Sequence, residues 1–352
     1  MKQVIIIFIS IFAGIMLFCI GVLVYALNGH DPFGWGLRDR ENADYVCLAL
    51  EYEAPAETVR DLQILYNNNP VDVYFYRSSQ DKIEIKEYAY KELAEGEKTT
   101  VEEKGGALIV NGKRRGKLIN FGFFGRDKNG GYAEVYLPDT WQGNLQVQTV
   151  SGDISSQIDF CLGTEADFEA SSTSGEIFLT KVEAGKINVS STSGDLRIED
   201  AKGDVKLATT SGEITLFTET GDCGISTISG DICVDSLTGD FRFSSTSGEI
   251  SAAQVTGAGK VSTVSGDISL QFKALQGELT LSSTSGEVSV GLPRDTALNF
   301  RAATTSGEIH TFFDEFLSFN KRGSSAQGVY GEGTAHIIDI HTTSGDVSIR
   351  ED

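Results

Sequence analysis

Histidine is scarce in this chain. His30, His310, His336 and His341 are the only four in 352 residues. Serine nucleophiles need a base within hydrogen-bond reach, usually a histidine held by a third group, so serine hydrolase chemistry has little to work with. Cysteine is equally thin. Of five, Cys19 lies in an apolar run, and Cys47, Cys161, Cys223 and Cys233 form no Cys-x-x-Cys pair. That excludes a disulfide scaffold and speaks against structural zinc. Positive charge is the third shortage. The formal net charge is -21, and residues 145–352 carry 30 Asp/Glu against 13 Lys/Arg. Such a surface repels phosphate backbones, so nucleic acid is not an expected partner.

Residues 4–26 read VIIIFISIFAGIMLFCIGVLVYA, 23 residues without a charge. This is about the length that crosses a hydrocarbon core and longer than the roughly 7–15 apolar residues of a cleaved signal. The expectation is one N-terminal transmembrane helix, a signal-anchor over 1–27 that exports the remainder of the chain. Residues 28–42, NGHDPFGWGLRDREN, read as a juxtamembrane linker. The expected location is the cell membrane, single-pass, with the C-terminal part extracytoplasmic.

A Ser-Gly-acid motif recurs with its glycine at Gly152, Gly175, Gly194, Gly212, Gly230, Gly248, Gly266, Gly286, Gly307 and Gly345. From Gly194 to Gly266 the step is 18 residues each time. A second series, Gly185, Gly203, Gly221, Gly239, Gly257 and Gly277, falls between them. The unit is an 18-residue coil of two nine-residue halves. Apolar residues at +2 and +4 after the motif glycine, and at -7 and -5 before it, give period-two alternation and one buried face. Stacking would bury those faces in a common core. The predicted fold is all-β, a parallel β-solenoid of 18-residue coils over 145–352, with an irregular strand-rich first part over 43–144 and an insertion at 313–335.

Position -3 is always a hydroxyl and has inward parity, which predicts a buried ladder. The serines just before the glycine (Ser193, Ser211, Ser229, Ser247, Ser265) read as turn caps. The glycines (Gly194, Gly212, Gly230, Gly248, Gly266) read as backbone corners. The acid after the glycine changes between Asp and Glu, unlike the fixed ligands of a calcium β-roll. A loosely held cation column along Asp195, Glu213, Asp231, Glu249 and Asp267 stays open as a second reading. No catalytic residue, cofactor or dedicated metal site is expected. Cys223 falls on an inward position and Cys233 on an outward one, which argues against their pairing.

Upstream, VDVYFYRSS and DKIEIKEYAY alternate like a hairpin with Ser78–Asp81 as its turn, and Ala54–Tyr66 reads as a short helix or a surface segment. Phe121, Phe123 and Phe124 read as cap packing. Arg350–Asp352 reads as a charged stop closing the far end.

The run VYLPDTWQGNLQVQTVSGDIS, the TSGDI/TSGEI ladder, the upstream FGFFG and the closing HIIDIHTTSGDVSI resemble the DUF4097 family over residues 60–352. Its members are bacterial β-strand-repeat proteins, often labelled adhesins, many tethered by one membrane segment. The resemblance implies a non-catalytic β-solenoid at the cell envelope that contacts a surface protein or wall polymer. Some relatives are associated with envelope-stress systems, so a scaffold or regulatory role is the alternative. A carbohydrate-active β-helix enzyme is the third reading. The resemblance carries over no catalytic or ligand residue, and the 313–335 segment departs from the family pattern.

Overall fold

The computed structural model describes residues 46–113, 130–332 and 336–351. The chain divides into two units, Met1–Val46 and Cys47–Asp352. The apolar segment 4–26, the linker 28–42 and Phe121, Phe123 and Phe124 lie outside the described residues. Among the described residues no helix is long and apolar enough to cross a membrane.

The second unit is all-β. Among the described residues its 25 strands form one continuous sheet, and the only helical pieces are single turns at Ala56–Thr58, Glu95–Glu97 and Asp314–Phe316. From Leu196 to Ile268 the pairing is parallel at a constant offset of 18. Leu196 pairs with Ile214, Ile214 with Ile232, Ile232 with Ile250 and Ile250 with Ile268. In the other half-coil, Val205 pairs with Cys223 and Cys223 with Phe241. Parallel strands need a crossover between partners, and here the other half-coil supplies it. Coils therefore stack at about 4.8 Å.

Alternation decides which side chains go inward. Leu196–Ala208 alternates buried and exposed through most of its length. The +2 residues Ile177, Leu196, Ile214, Ile232, Ile250 and Ile268 form one inner column, each almost wholly buried. Burying each contributes about 1.5–3 kcal/mol. Any single coil exposes both its edges, so this gain exists only in the stack.

The ends of the stack do not follow sequence order. The strands Asp61–Tyr66 and Val71–Arg77 form the first coil. They lie between the coil of Ala107–Asn111 and Gly131–Leu137 on one side and that of Asn144–Thr149 and Ile154–Ser156 on the other. The proposed hairpin is thus incorrect. Val71–Arg77 pairs with Gly131–Leu137 and Ile154–Ser156, while Lys82–Ala89 pairs antiparallel with Cys47–Pro55 and Gly131–Leu137. Alternation fixes which face a residue takes but not which strand it meets. Asp61–Tyr66, within the segment read as a helix, is a strand.

The C-terminal end repeats this arrangement. The Gly345 coil, His336–Ser344 and Val347–Glu351, inserts between the Gly286 coil and the Gly307 coil. Arg350 and Glu351 therefore sit inside the stack and do not close it. The end is closed by residues 313–332: Ser325–Tyr330 lies antiparallel on Leu298–Ala303, and Leu317–Phe319 antiparallel on Ser325–Tyr330. Phe300, Phe313 and Tyr330 pack beneath this cap, with ring centroids 4.9–5.5 Å apart.

Candidate functional site: the acid-bearing corner column

The ten motif glycines form one column. A Cβ on Gly212 would lie 2.1 Å from the Gly194 carbonyl oxygen, and the equivalent contact recurs up the stack from Gly175 to Gly286, Gly345 and Gly307. Close approach of backbone to backbone excludes any side chain here. Gly203, Gly221, Gly239 and Gly257 of the second series form another column, where positive φ adds to the contact: Gly239 has φ +145 and would place a Cβ 1.8 Å from the Gly221 oxygen.

All ten hydroxyls at position -3 are buried, between 4% and 8% exposed, as their parity predicts. From Gly152 to Gly230 each accepts the motif glycine's N–H, at 2.9–3.2 Å. Several donate to the carbonyl of the preceding coil's glycine, as Ser172 does to Gly152 at 3.2 Å. In these five corners the turn cap is therefore the -3 hydroxyl. Ser193, Ser211, Ser229, Ser247 and Ser265, read from sequence as caps, are exposed, and their side chains form no hydrogen bond among the described residues.

In spatial order the acids run Asp153, Glu176, Asp195, Glu213, Asp231, Glu249, Asp267, Glu287, Asp346, Glu308. Insertion of the Gly345 coil makes the alternation strict. Each aspartate Oδ1 accepts the backbone N–H of the glutamate in the next coil. The five distances are 3.0 Å for Asp153–Glu176 and 2.8 Å for Asp195–Glu213, Asp231–Glu249, Asp267–Glu287 and Asp346–Glu308. The shorter side chain spans this step; one more methylene would overshoot it. The working period along this corner is thus two coils, 36 residues through the regular part. Each aspartate is tied to backbone, and the glutamates point outward.

The cation column proposed from sequence, Asp195, Glu213, Asp231, Glu249 and Asp267, is brought into one line. Among the described residues, however, no group of three or more His, Cys, Asp or Glu is placed to hold a metal ion. A shallow depression of about 310 Å³ lies beside it, lined by Glu176, Phe178, Asp195, Arg197, Glu213 and Thr215. Burial, and then the charges of Asp153 and Asp195, raise the Glu176 carboxyl above its ordinary value. Arg197 lies over the Phe217 ring at 4.4 Å from its centroid.

Sequence reading missed Glu219. It is 1% exposed and occupies the inner column of Ala201 and Leu237, with both carboxyl oxygens buried and unbonded. Burial, then the charges of Asp200, Asp204 and Asp222, push it up to about 9. The 18-residue register held the signal, since Ala201, Leu237 and Val255 surround it in the alignment. Nearby Cys223 is buried and free, Cys233 half-buried and free. Burial and then Glu219 raise the Cys223 thiol.

The chain belongs to the Toastrack DUF4097 family, whose profile matches residues 61–250 and 235–350. Among solved structures, it is similar to a candidate cell adhesion protein from Clostridium sporogenes, at 11% identity. That match spans 86% of this chain and 99% of that one, with a TM-score of 0.25. It is also similar to a candidate adhesin from Bacteroides fragilis at 14% identity, over 88% of this chain and 98% of that one, with a TM-score of 0.35. Superpositions this loose carry no weight for fold or function. No curated protein matches the chain.

Proposed function

We propose that this is a non-catalytic contact protein of the bacterial envelope, held to the membrane through residues 4–26, with the coil stack extracytoplasmic. One observation carries the reading: the corner column repeats the same outward side chains over ten coils. Just before each glycine stand an exposed serine and a β-branched residue, and after it an acid. A periodic, acidic face suits an extended partner, a surface protein or wall polymer, held by many weak contacts.

The test is attachment of cells bearing the full chain, compared with cells whose chain lacks residues 232–267. That deletion removes 36 residues in register and joins Asp231 to Ile268, so the acid alternation survives. Contact through the flank predicts weaker attachment at equal surface level. Unchanged attachment would favour a scaffold acting through its ends. Labelling of exposed Cys161 by a membrane-impermeant maleimide on intact cells tests the location.

A further inference from the structure

Glu219 interrupts an inner column that is otherwise apolar. Val182, Ala201, Leu237, Val255 and Phe272 stack in register with it, and each is fully buried. Glu219 is 1% exposed, and neither carboxyl oxygen accepts a hydrogen bond from a described group. A Cβ built on Gly221 would lie 3.2 Å from its Oε1, so the carboxyl is tucked beneath that corner.

The same corner is where the ladder breaks. Leu196–Ala208 and Ile250–Ser265 run through it without interruption. In the coil of Glu219 the strand stops at Thr220 and restarts at Cys223, and in the next coil it stops at Thr238 and restarts at Phe241. Between these ends the Gly221 N–H donates to the Thr238 carbonyl at 3.0 Å, and the Cys223 N–H to the Asp240 carbonyl at 2.8 Å. In a stack each coil is held only by its neighbours, and segments with a weaker ladder open at lower cost than those around them.

The groups facing Glu219 all oppose its charge. Asp200 and Asp204 bear on it from Leu196–Ala208, Asp222 from its own corner, and the Cys223 thiol from the strand that follows. From the coil on its other side Ser236, Leu237 and Thr238 adjoin, none of them titratable. The nearby cations are engaged elsewhere, Lys202 with Glu183 at 2.7 Å and Lys181 with Asp200 at 3.8 Å. An ionised Glu219 therefore has nothing to pair with inside the stack.

We propose that Glu219 makes this corner the opening point of the stack: a proton on the carboxyl keeps it shut, and losing that proton to water parts coil from coil and uncovers the Cys223 thiol. The device stands apart from the adhesion reading and holds whether or not the flank binds a polymer. While the corner is closed, burial and then the three aspartates keep the carboxyl protonated up to about pH 9; once open and hydrated, it ionises near its ordinary 4.5. Opening releases one proton at any pH between those values, so the open population rises about tenfold per pH unit. Cys223, 3% exposed beside Val205 and Phe241, reacts only from the open form.

The full chain, purified in detergent, is pulsed with 4,4′-dithiodipyridine, and peptide mass spectrometry reads Cys223 against exposed Cys161. That ratio cancels the pH dependence of the reagent chemistry. It should rise about tenfold per pH unit between about pH 5.5 and 8. In Glu219→Gln and in Glu219→Leu, which copies Leu237, the ratio should stay flat over the same range. Urea well below the unfolding transition should change it little, because a single corner exposes little surface. A flat ratio in the unaltered chain would overturn the proposal, as would the same slope in both variants. A urea dependence as steep as that of global unfolding would also overturn it, since Cys223 would then be uncovered by loss of the whole stack.

Discussion

The corners from Gly152 to Gly230 and those from Gly248 to Gly345 use the same residues differently. In the first group the -3 hydroxyl accepts the glycine N–H. In the second, that N–H reaches the next coil: Gly248 donates to Ser265, Gly266 to Ser285, Gly286 to Ser344 and Gly345 to Ser306, at 3.0–3.1 Å. Strands then run further into the corner, as in Ile250–Ser265 and Ile268–Ser285. The hydroxyls of Thr263, Ser283 and Thr342 are left buried without a partner. One tetrapeptide thus supports two corners. What differs is whether the glycine N–H bonds within its own coil or between coils, so the motif sets the glycine column and the ladder chooses the bond.

Some perturbations should not distinguish the groups. Gly212→Ala and Gly266→Ala both drive a Cβ to 2.1 Å from a backbone oxygen. Each should cost more than about 4 kcal/mol, seen as loss of the cooperative urea transition. A milder pair would show that the clash is not general.

The next largest effect belongs to Glu219, in the first group's part of the stack. Its folded value near 9 lies above the ordinary 4.5. Its stabilising contribution is therefore whole below about pH 4.5 and fades as pH rises towards 9. By pH 7 the loss is about 3 kcal/mol. Glu219→Leu, which matches Leu237 in the same column, should raise the melting temperature at pH 7. It should also flatten the pH dependence between 5 and 9, as should Glu219→Gln.

The comparison itself is sharpened by Thr209→Val and Thr263→Val. The first strands the Gly212 N–H, which Thr209 accepts at 3.1 Å, and should cost about 1–3 kcal/mol. The second removes a hydroxyl that bonds nothing and should be neutral or stabilising by denaturant titration. Equal costs would erase the distinction between the two corners. Smallest is Asp231→Ala, which frees the Glu249 N–H and should cost about 0.5–1.5 kcal/mol. Glu249→Ala, removing an outward acid, should change stability by less than about 0.5 kcal/mol.

Much of the coil was legible in the sequence, because period-two parity and an 18-residue step are local facts. Thr149, Ser172 and the eight hydroxyls in register with them are buried where parity places them. The order of coils was misread because sequence neighbours were taken as spatial neighbours. A signal existed nonetheless. The acids alternate down to Glu287, then Glu308 breaks the pattern, and Asp346 repairs it only when inserted between them. The hairpin over 71–89 failed for a different reason. Two alternating runs with a plausible turn satisfy a hairpin, and they satisfy equally well two strands that pair elsewhere. Assigning the cap to Ser193 and its equivalents failed because a side chain just before the glycine points outward, while the hydroxyl at position -3 points inward and, from Gly152 to Gly230, meets the glycine N–H.

The inserted Gly345 coil underlies both the strict acid alternation and the position of the C-terminal cap. Outward Ser289, Ser348 and His310 report on it, since Ser348 pairs with both of the others. Disulfide formation should be rapid in Ser289→Cys/Ser348→Cys and in Ser348→Cys/His310→Cys, across one coil step. It should be absent in Ser289→Cys/His310→Cys, two steps apart. Rapid linkage of that last pair would contradict the insertion, and with it the Asp–Glu pairing along the corner.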